Sequence, residues 1–273
     1  MLADFLYGIP TWEMAVIIVG LFVFFANVGL YIFVRALGSE LRKGHNEFVA
    51  STTDLVGVFF AVLAAFIAVA AWETFSKAGD IASTEASLTF DLARDVDSFP
   101  EPLRSQLLAD MTSYVDIVLK KEWPDMADGV EFGDEGWEPL RKFQRDLVTF
   151  HSEDSIQVAI FSETLSRLNS LYDARRDRLL AAEDHIDSSV WWVVLIGAGV
   201  TVGLTFLFGM ESYKMHVLLT SVAAGSLALV VVLIAAFDYP FRGEVQISPH
   251  AFENTKHSME RMGLLVPRVP EKK

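Results

Sequence analysis

The sequence predicts an all-α integral membrane protein, with four transmembrane helices and an extramembrane helical domain formed by long helix extensions of spans two and three. Three observations carry this. Hydrophobic residues make up 52% of the 273, and the mean hydropathy of +0.35 exceeds what one soluble core of this length needs. Residues 14–34, 55–72, 188–210 and 217–237 are each near the roughly 20 apolar residues that cross a bilayer, and none of the four contains a charge. Between the second and third stretches, apolar residues recur at helical spacing. A soluble cytoplasmic enzyme is thereby excluded. The expected organisation is transmembrane helices one and two over 1–73, an acidic extracytoplasmic helical domain over 74–187, helices three and four over 188–237, and a tail over 238–273.

The first span reads as a retained helix. No basic residue precedes it, and its length exceeds the roughly 7 to 15 apolar residues of a cleaved signal segment. Arg35, Arg42 and Lys43 follow it, whereas residues 1–13 hold only Asp4 and Glu13, so the positive-inside rule places the first loop in the cytoplasm. Residues 74–187 and both termini then lie on the outer side, and the turn over 211–216, with Lys214, lies inside. For a bacterial chain this means a multi-pass protein of the cytoplasmic (inner) membrane with extracytoplasmic N and C termini. The basic tail residues Arg242, Lys256, Arg261, Arg268, Lys272 and Lys273 oppose this orientation, but only Arg242 lies close to a span, and distant charges count little.

The net charge is −14, and residues 74–187, with 24 acidic and 12 basic residues, hold −12 of it. That balance argues against a nucleic-acid partner and suits an attraction for cations. The absence of cysteine removes disulfides, thiolate chemistry and cysteine-ligated metals. The six histidines include no pair three or four apart, and there is no Gly-rich phosphate loop, nucleophile elbow or H-E-x-x-H. No cofactor, metal site or enzymatic activity is expected.

Inside the insert, Leu103, Leu107, Leu108, Met111, Tyr114, Val115 and Val118 share one helical face, with Pro100 and Pro102 marking the start. Residues 122–138 carry seven carboxylates, with glycines after Asp128 and Phe132, and read as a solvated acidic loop without EF-hand order. A stripe then runs from Val158 through Leu168, Tyr172, Arg175 and Leu179 to Ile186, and a second runs from Ile81 through Glu85, Leu88 and Leu92 to Phe99. Both stripes read as straight continuations of spans three and two. Glu85 lies 13 residues beyond Trp72 and Arg175 lies 13 before Ser188, each about 20 Å from its membrane boundary. An antiparallel packing would set Glu85 against Arg175 or Arg176; the alternative is that these charges reach solvent at the stripe edge.

In the second span, Val56, Phe59, Leu63, Phe66 and Ala70 fall along one face, bracketed by Asp54 and Glu73. In an oligomer such a helix could line an apolar neck at Phe59, Leu63 and Phe66, with a carboxylate ring at each mouth, an arrangement that selects cations. The same spacing suits ordinary lipid and helix contacts with Trp72 as an interfacial anchor, and spacing alone favours that second reading. Gly197, Gly199 and Gly203 in span three and residues 223–226 in span four read as packing positions. After span four, Asp238, Pro240, Arg242 and Gly243 form a turn in which Asp238 could pair with Arg242.

Several of these segments together carry a resemblance. Residues 57–73 ending in Ala71-Trp72-Glu73, then Tyr114, Glu122-Trp123-Pro124, Arg175-Arg176-x-Arg178-Leu179, Trp191-Trp192 and Asp238-x-Pro240-Phe241-x-Gly243, resemble the bestrophin-like DUF4239 family in order along nearly the whole chain. That resemblance implies a homo-oligomeric ion channel, a pentamer being the expected assembly, whose neck carries over by position to Phe59, Leu63 and Phe66. The calcium clasp of eukaryotic bestrophins has no match here. The implied partners are membrane lipid, further copies of the chain and inorganic ions. The acidic insert and Glu73 lean the expectation towards cations; an anion channel and a non-conducting scaffold or sensor, binding a partner through the outer domain, are the alternatives.

Overall fold

A computed structural model describes residues 7–36, 44–130 and 133–265. Asp4, Arg42, Lys43, Phe132, Arg268, Lys272 and Lys273, used above, lie outside them. In chain order the helices are α1 (Thr11–Ala36), α2 (Asn46–Val96), α3 (Leu103–Ile117), α4 (Trp123–Asp128), α5 (Trp137–Leu147), α6 (Ser155–Glu183), α7 (Ser188–Thr205), α8 (Tyr213–Asp238) and α9 (His250–Arg261). A π-helical turn (Val118–Glu122) joins α3 to α4, and a 3-10 turn (Asp134–Gly136) precedes α5. No strand occurs among the described residues. The four apolar stretches fall on α1, α2, α7 and α8, and the chain is an all-α membrane protein.

The chain divides into two compact units. The first comprises Met1–Phe75, His185–Tyr239 and Gly243–Val245, and holds the spans. Its helix α1 begins after Pro10, with the Thr11 backbone N–H donating to Glu244 Oε2 at 2.7 Å, and carries Arg35 in its last turn, where a cation complements the helix dipole. Met14 packs with Val232 and Ala235 of α8, and Ala26 packs with Val202 and Ala224. Small residues let these backbones approach, and Asn27 Nδ2 donates across to Ser221 Oγ at 2.9 Å. The glycines of span three are not equivalent. A Cβ at Gly197 would sit 2.4 Å from the Phe60 ring, whereas Gly199 and Gly203 have nothing within 4 Å. Span two also starts earlier than its apolar stretch: Asn46 Oδ1 accepts from Gly209 N at 2.8 Å and anchors the first turn of α2.

The second unit comprises Ser76–Asp184, Pro240–Arg242 and Gln246–Lys273. Its core gathers Leu92 of α2, Leu107, Leu108, Met111 and Tyr114 of α3, Phe143 of α5, Leu168 of α6 and Phe252 of α9. The α3 face is buried as its spacing predicts, apart from half-buried Leu103. Two expectations are corrected. The acidic run over 122–138 is largely helical, with the last residue of the π turn, α4, the 3-10 turn and the start of α5 inside it, because Trp123, Met126 and Trp137 give it an apolar side. The extension of span three is also broken rather than straight. Residues 184–187 are non-helical, and Asp187 caps α7 by accepting from Ser189 N at 2.7 Å.

Candidate functional site

Helix α2 presents two different faces in the unit that holds the spans. Phe60, Ala64 and Ala71 are buried, with Phe60 and Ala64 packed around Ala198 of α7. Beside that face Phe59 is 70% exposed, Leu63 41% and Phe66 70%, and Val58, Val62 and Val69, directly opposite the packed residues, are exposed as well. Ala70 continues this uncovered face and Val56 is half-buried. Asp54 and Glu73 are both exposed and lie 19 residues apart, about 29 Å along a helix and close to the thickness of a bilayer core. The apolar row is thus bracketed by one carboxylate at each end.

The turn after α8 differs from the expected Asp238–Arg242 pair. Asp238 instead accepts the Ile186 backbone N–H at 2.7 Å and Trp191 Nε1–H at 3.1 Å, tying the end of span four to the entry of span three. One backbone N–H and one indole N–H thus occupy the two carboxylate oxygens in place of the guanidinium. Arg242 Nη2 donates to the Asp128 carbonyl at 3.3 Å and lies over Gly129, whose φ of +65° closes α4 and where any Cβ would overlap the guanidinium. The Pro240 carbonyl accepts from Ile247 N at 2.8 Å, and Gly243 supplies the expected left-handed turn residue at φ +82°.

A buried ionic core lies within the second unit. Glu85 does not meet Arg175 or Arg176; it pairs with Arg178, one helical turn further on, and also accepts from the Tyr114 hydroxyl. Arg178 Nη2 bridges to Glu122 Oε2 at 2.7 Å, and Arg175 Nη1 reaches the same oxygen at 2.9 Å. Two guanidiniums and two carboxylates therefore balance one another. Arg176 is exposed and pairs with Asp173 at 2.9 Å. Aromatic rings wall the cluster: the Arg175 guanidinium carbon lies 4.5 Å from the Trp137 centroid, and that of Arg178 lies 5.6 Å from the Trp123 centroid.

The electrostatics follow from this packing. Burial pushes the Glu122 carboxyl up, but the Arg175 and Arg178 guanidiniums outweigh burial and hold it below the usual value. Arg178 is held above its ordinary value although burial opposes its charge, because Glu85 and Glu122 face it. Burial and then the Glu85 carboxylate push the Tyr114 hydroxyl well up, so it stays a donor. The spacing of Arg175 located this core in the chain but missed Arg178 and Glu122. The visible signal was Arg178 at i+3 from Arg175, which shares its helix face; Glu122 was masked by the neighbouring acidic residues.

A model of the bestrophin-like domain matches residues 20–252. The chain belongs to the bestrophin-like family. Among solved structures, this bestrophin-like chain is similar to two point variants of a bacterial bestrophin homolog from Klebsiella pneumoniae. One gives a TM-score of 0.65 at 11% identity, covering 91% of this chain and 99% of that one. The other gives 0.66 at 11%, covering 93% and 98%. A structure described as a membrane protein gives 0.66 at 11%, covering 89% and 99%. No curated protein matches the chain. At these identities the structural likeness concerns the fold.

Proposed function

We propose that this bestrophin-like protein, read as a member of the DUF4239 branch, is a homo-oligomeric ion channel of the bacterial cytoplasmic membrane whose pore is lined by α2 and prefers cations. The observation that carries the reading is the uncovered row of Phe59, Leu63 and Phe66 beside the narrow face, Phe60, Ala64 and Ala71, that α2 packs within the chain. Such a row turned towards a common axis, in a pentamer or another closed ring, makes a dry constriction. Glu73 and Asp54 then become carboxylate rings at its mouths and draw cations. The uncharged neck favours the anion-channel alternative, because weakly hydrated anions cross apolar constrictions most easily. Glu73→Gln separates the two: a lower cation-to-anion permeability ratio supports the carboxylate ring, and an unchanged ratio removes it. The orientation inferred from Arg35, Arg42 and Lys43, with the acidic domain outside, is tested by a single introduced cysteine at Ser166 in this cysteine-free chain. Labelling of intact cells by an impermeant maleimide supports it, and labelling only after lysis reverses it.

A further inference from the structure

Helix α2 is continuous for 51 residues, so the row that carries the proposed neck can be followed beyond Glu73. Steps of four and three lead to Lys77, Asp80, Thr84, Ser87 and Asp91. All are exposed except half-buried Asp91, while Ala78, Ala82, Glu85 and Thr89 on the opposite side are buried. The row averages 3.5 residues per turn, so on a helix of 3.6 it winds left-handed by about 20° per heptad, as expected for helices coiling around a shared axis. Its chemistry changes along the way from apolar to charged and hydroxylic. Beside Ser87 a cleft of about 390 Å³ is lined by Ser83, Asp91, Asn254 and Ser258 together with Ala86, Phe90 and Ala251, so hydroxyl and amide groups stand among apolar ones on the neighbouring surface of α9.

The charges in the row are not equivalent. Asp91 is engaged by Arg94 at 3.0 Å, whereas Asp80 makes no ion pair among the described residues. Lys77 lies between Glu73 and Asp80 in the row, which leaves the stretch net negative. We infer that the row from Asp80 to Ser87 lines the extramembrane stretch of the conduction path for hydrated monovalent cations, and that the Asp80 carboxylates form a further selectivity ring. This rests on the channel reading above. Repeated carboxylates around an axis raise the local cation concentration, and hydroxyl and amide groups offer oxygen without binding so strongly that ions cannot leave.

The cysteine-free chain makes the test direct. Asp80→Cys, Ser87→Cys and, as an exposed control on α6, Ser166→Cys are reconstituted and recorded under a KCl gradient before and after thiol reagents bearing a sulfonate or a trimethylammonium group. Asp80→Cys is expected to lower the potassium-to-chloride permeability ratio by at least about fourfold, because one charge near 10 Å in water changes potassium and chloride about twofold each in opposite senses and every subunit loses one. The sulfonate reagent restores that ratio, and the trimethylammonium reagent lowers it further. Ser87→Cys shifts in the same directions on modification, and Ser166→Cys does not shift. Conducting Asp80→Cys and Ser87→Cys proteins that keep the wild-type ratio with either reagent would overturn the inference while leaving the channel standing. A silent wild type overturns the channel reading and this inference with it.

Discussion

Glu85 and Arg178 lie 93 residues apart in sequence and meet side chain to side chain with no exposure to solvent. Glu85 belongs to the helix that carries the proposed neck, and Arg178 belongs to the helix that leads towards span three. The pair is completed by Tyr114 and Glu122, so removing either partner strands a buried charge among groups arranged to receive it.

Glu85→Gln and Arg178→Met are therefore each expected to destabilise the protein by about 3 to 5 kcal/mol, the usual cost of an uncompensated buried charge. Thermal unfolding in detergent measures this. Glu85→Gln with Arg178→Met should cost less than the sum of the single changes, because neither charge is then left facing its missing partner. Additive losses would show that the two groups act independently. Arg176→Met, at an exposed pair, should leave stability nearly unchanged.

The acid limb of stability should depend on Glu122. Its carboxyl is held below the ordinary value in the folded chain, so the unfolded chain binds the proton more readily. The stabilisation is complete above the unfolded value, near 4.3 for a glutamate, and is lost as pH falls through the folded value. Denaturant unfolding followed from pH 6 downwards, to about pH 3, should show a shallower acid loss in Glu122→Gln than in wild type. Asp110 works with the opposite sign. Burial raises its carboxyl above the usual value against the pull of Lys142, so its share of stability falls as pH rises through that range.

Gly136 is required by contact rather than by backbone conformation. A Cβ there would lie 2.0 Å from Glu122 Oε1 and 2.3 Å from Arg175 Nη2. Gly136→Ala should push apart the bidentate pair and cost about 1 to 3 kcal/mol, the range for overpacking. Gly133→Ala, three residues earlier and open on all sides, is the matched control. Equal melting temperatures for the two variants would contradict this placement.

The spans, the α3 face and both stripes are legible from the sequence because apolar periodicity and length are properties of each segment alone. The core pairing is not. Arg175 and Arg178 both lie within reach of the same seam, and only three-dimensional packing gives Glu85 to Arg178 and Glu122 to Arg175. The helical character of the acidic run was hidden because hydropathy averages over seven carboxylates, while the fold depends on single apolar anchors such as Trp123. The break before Ser188 depends on Asp187 acting as a cap, a local hydrogen bond that a periodic stripe overrides on paper. Helix α9 is not legible in the sequence because its buried face amounts to Phe252, Thr255 and Met259 on an otherwise polar segment.

The reversal potential of the purified protein in a planar bilayer under a KCl gradient, beside a protein-free control, tests the central claim most directly. Current reversing near the potassium equilibrium potential, and moving away from it in Glu73→Gln, is the predicted result. Current no greater than the protein-free control, across voltages and pH, with a folded and oligomeric sample, would contradict it.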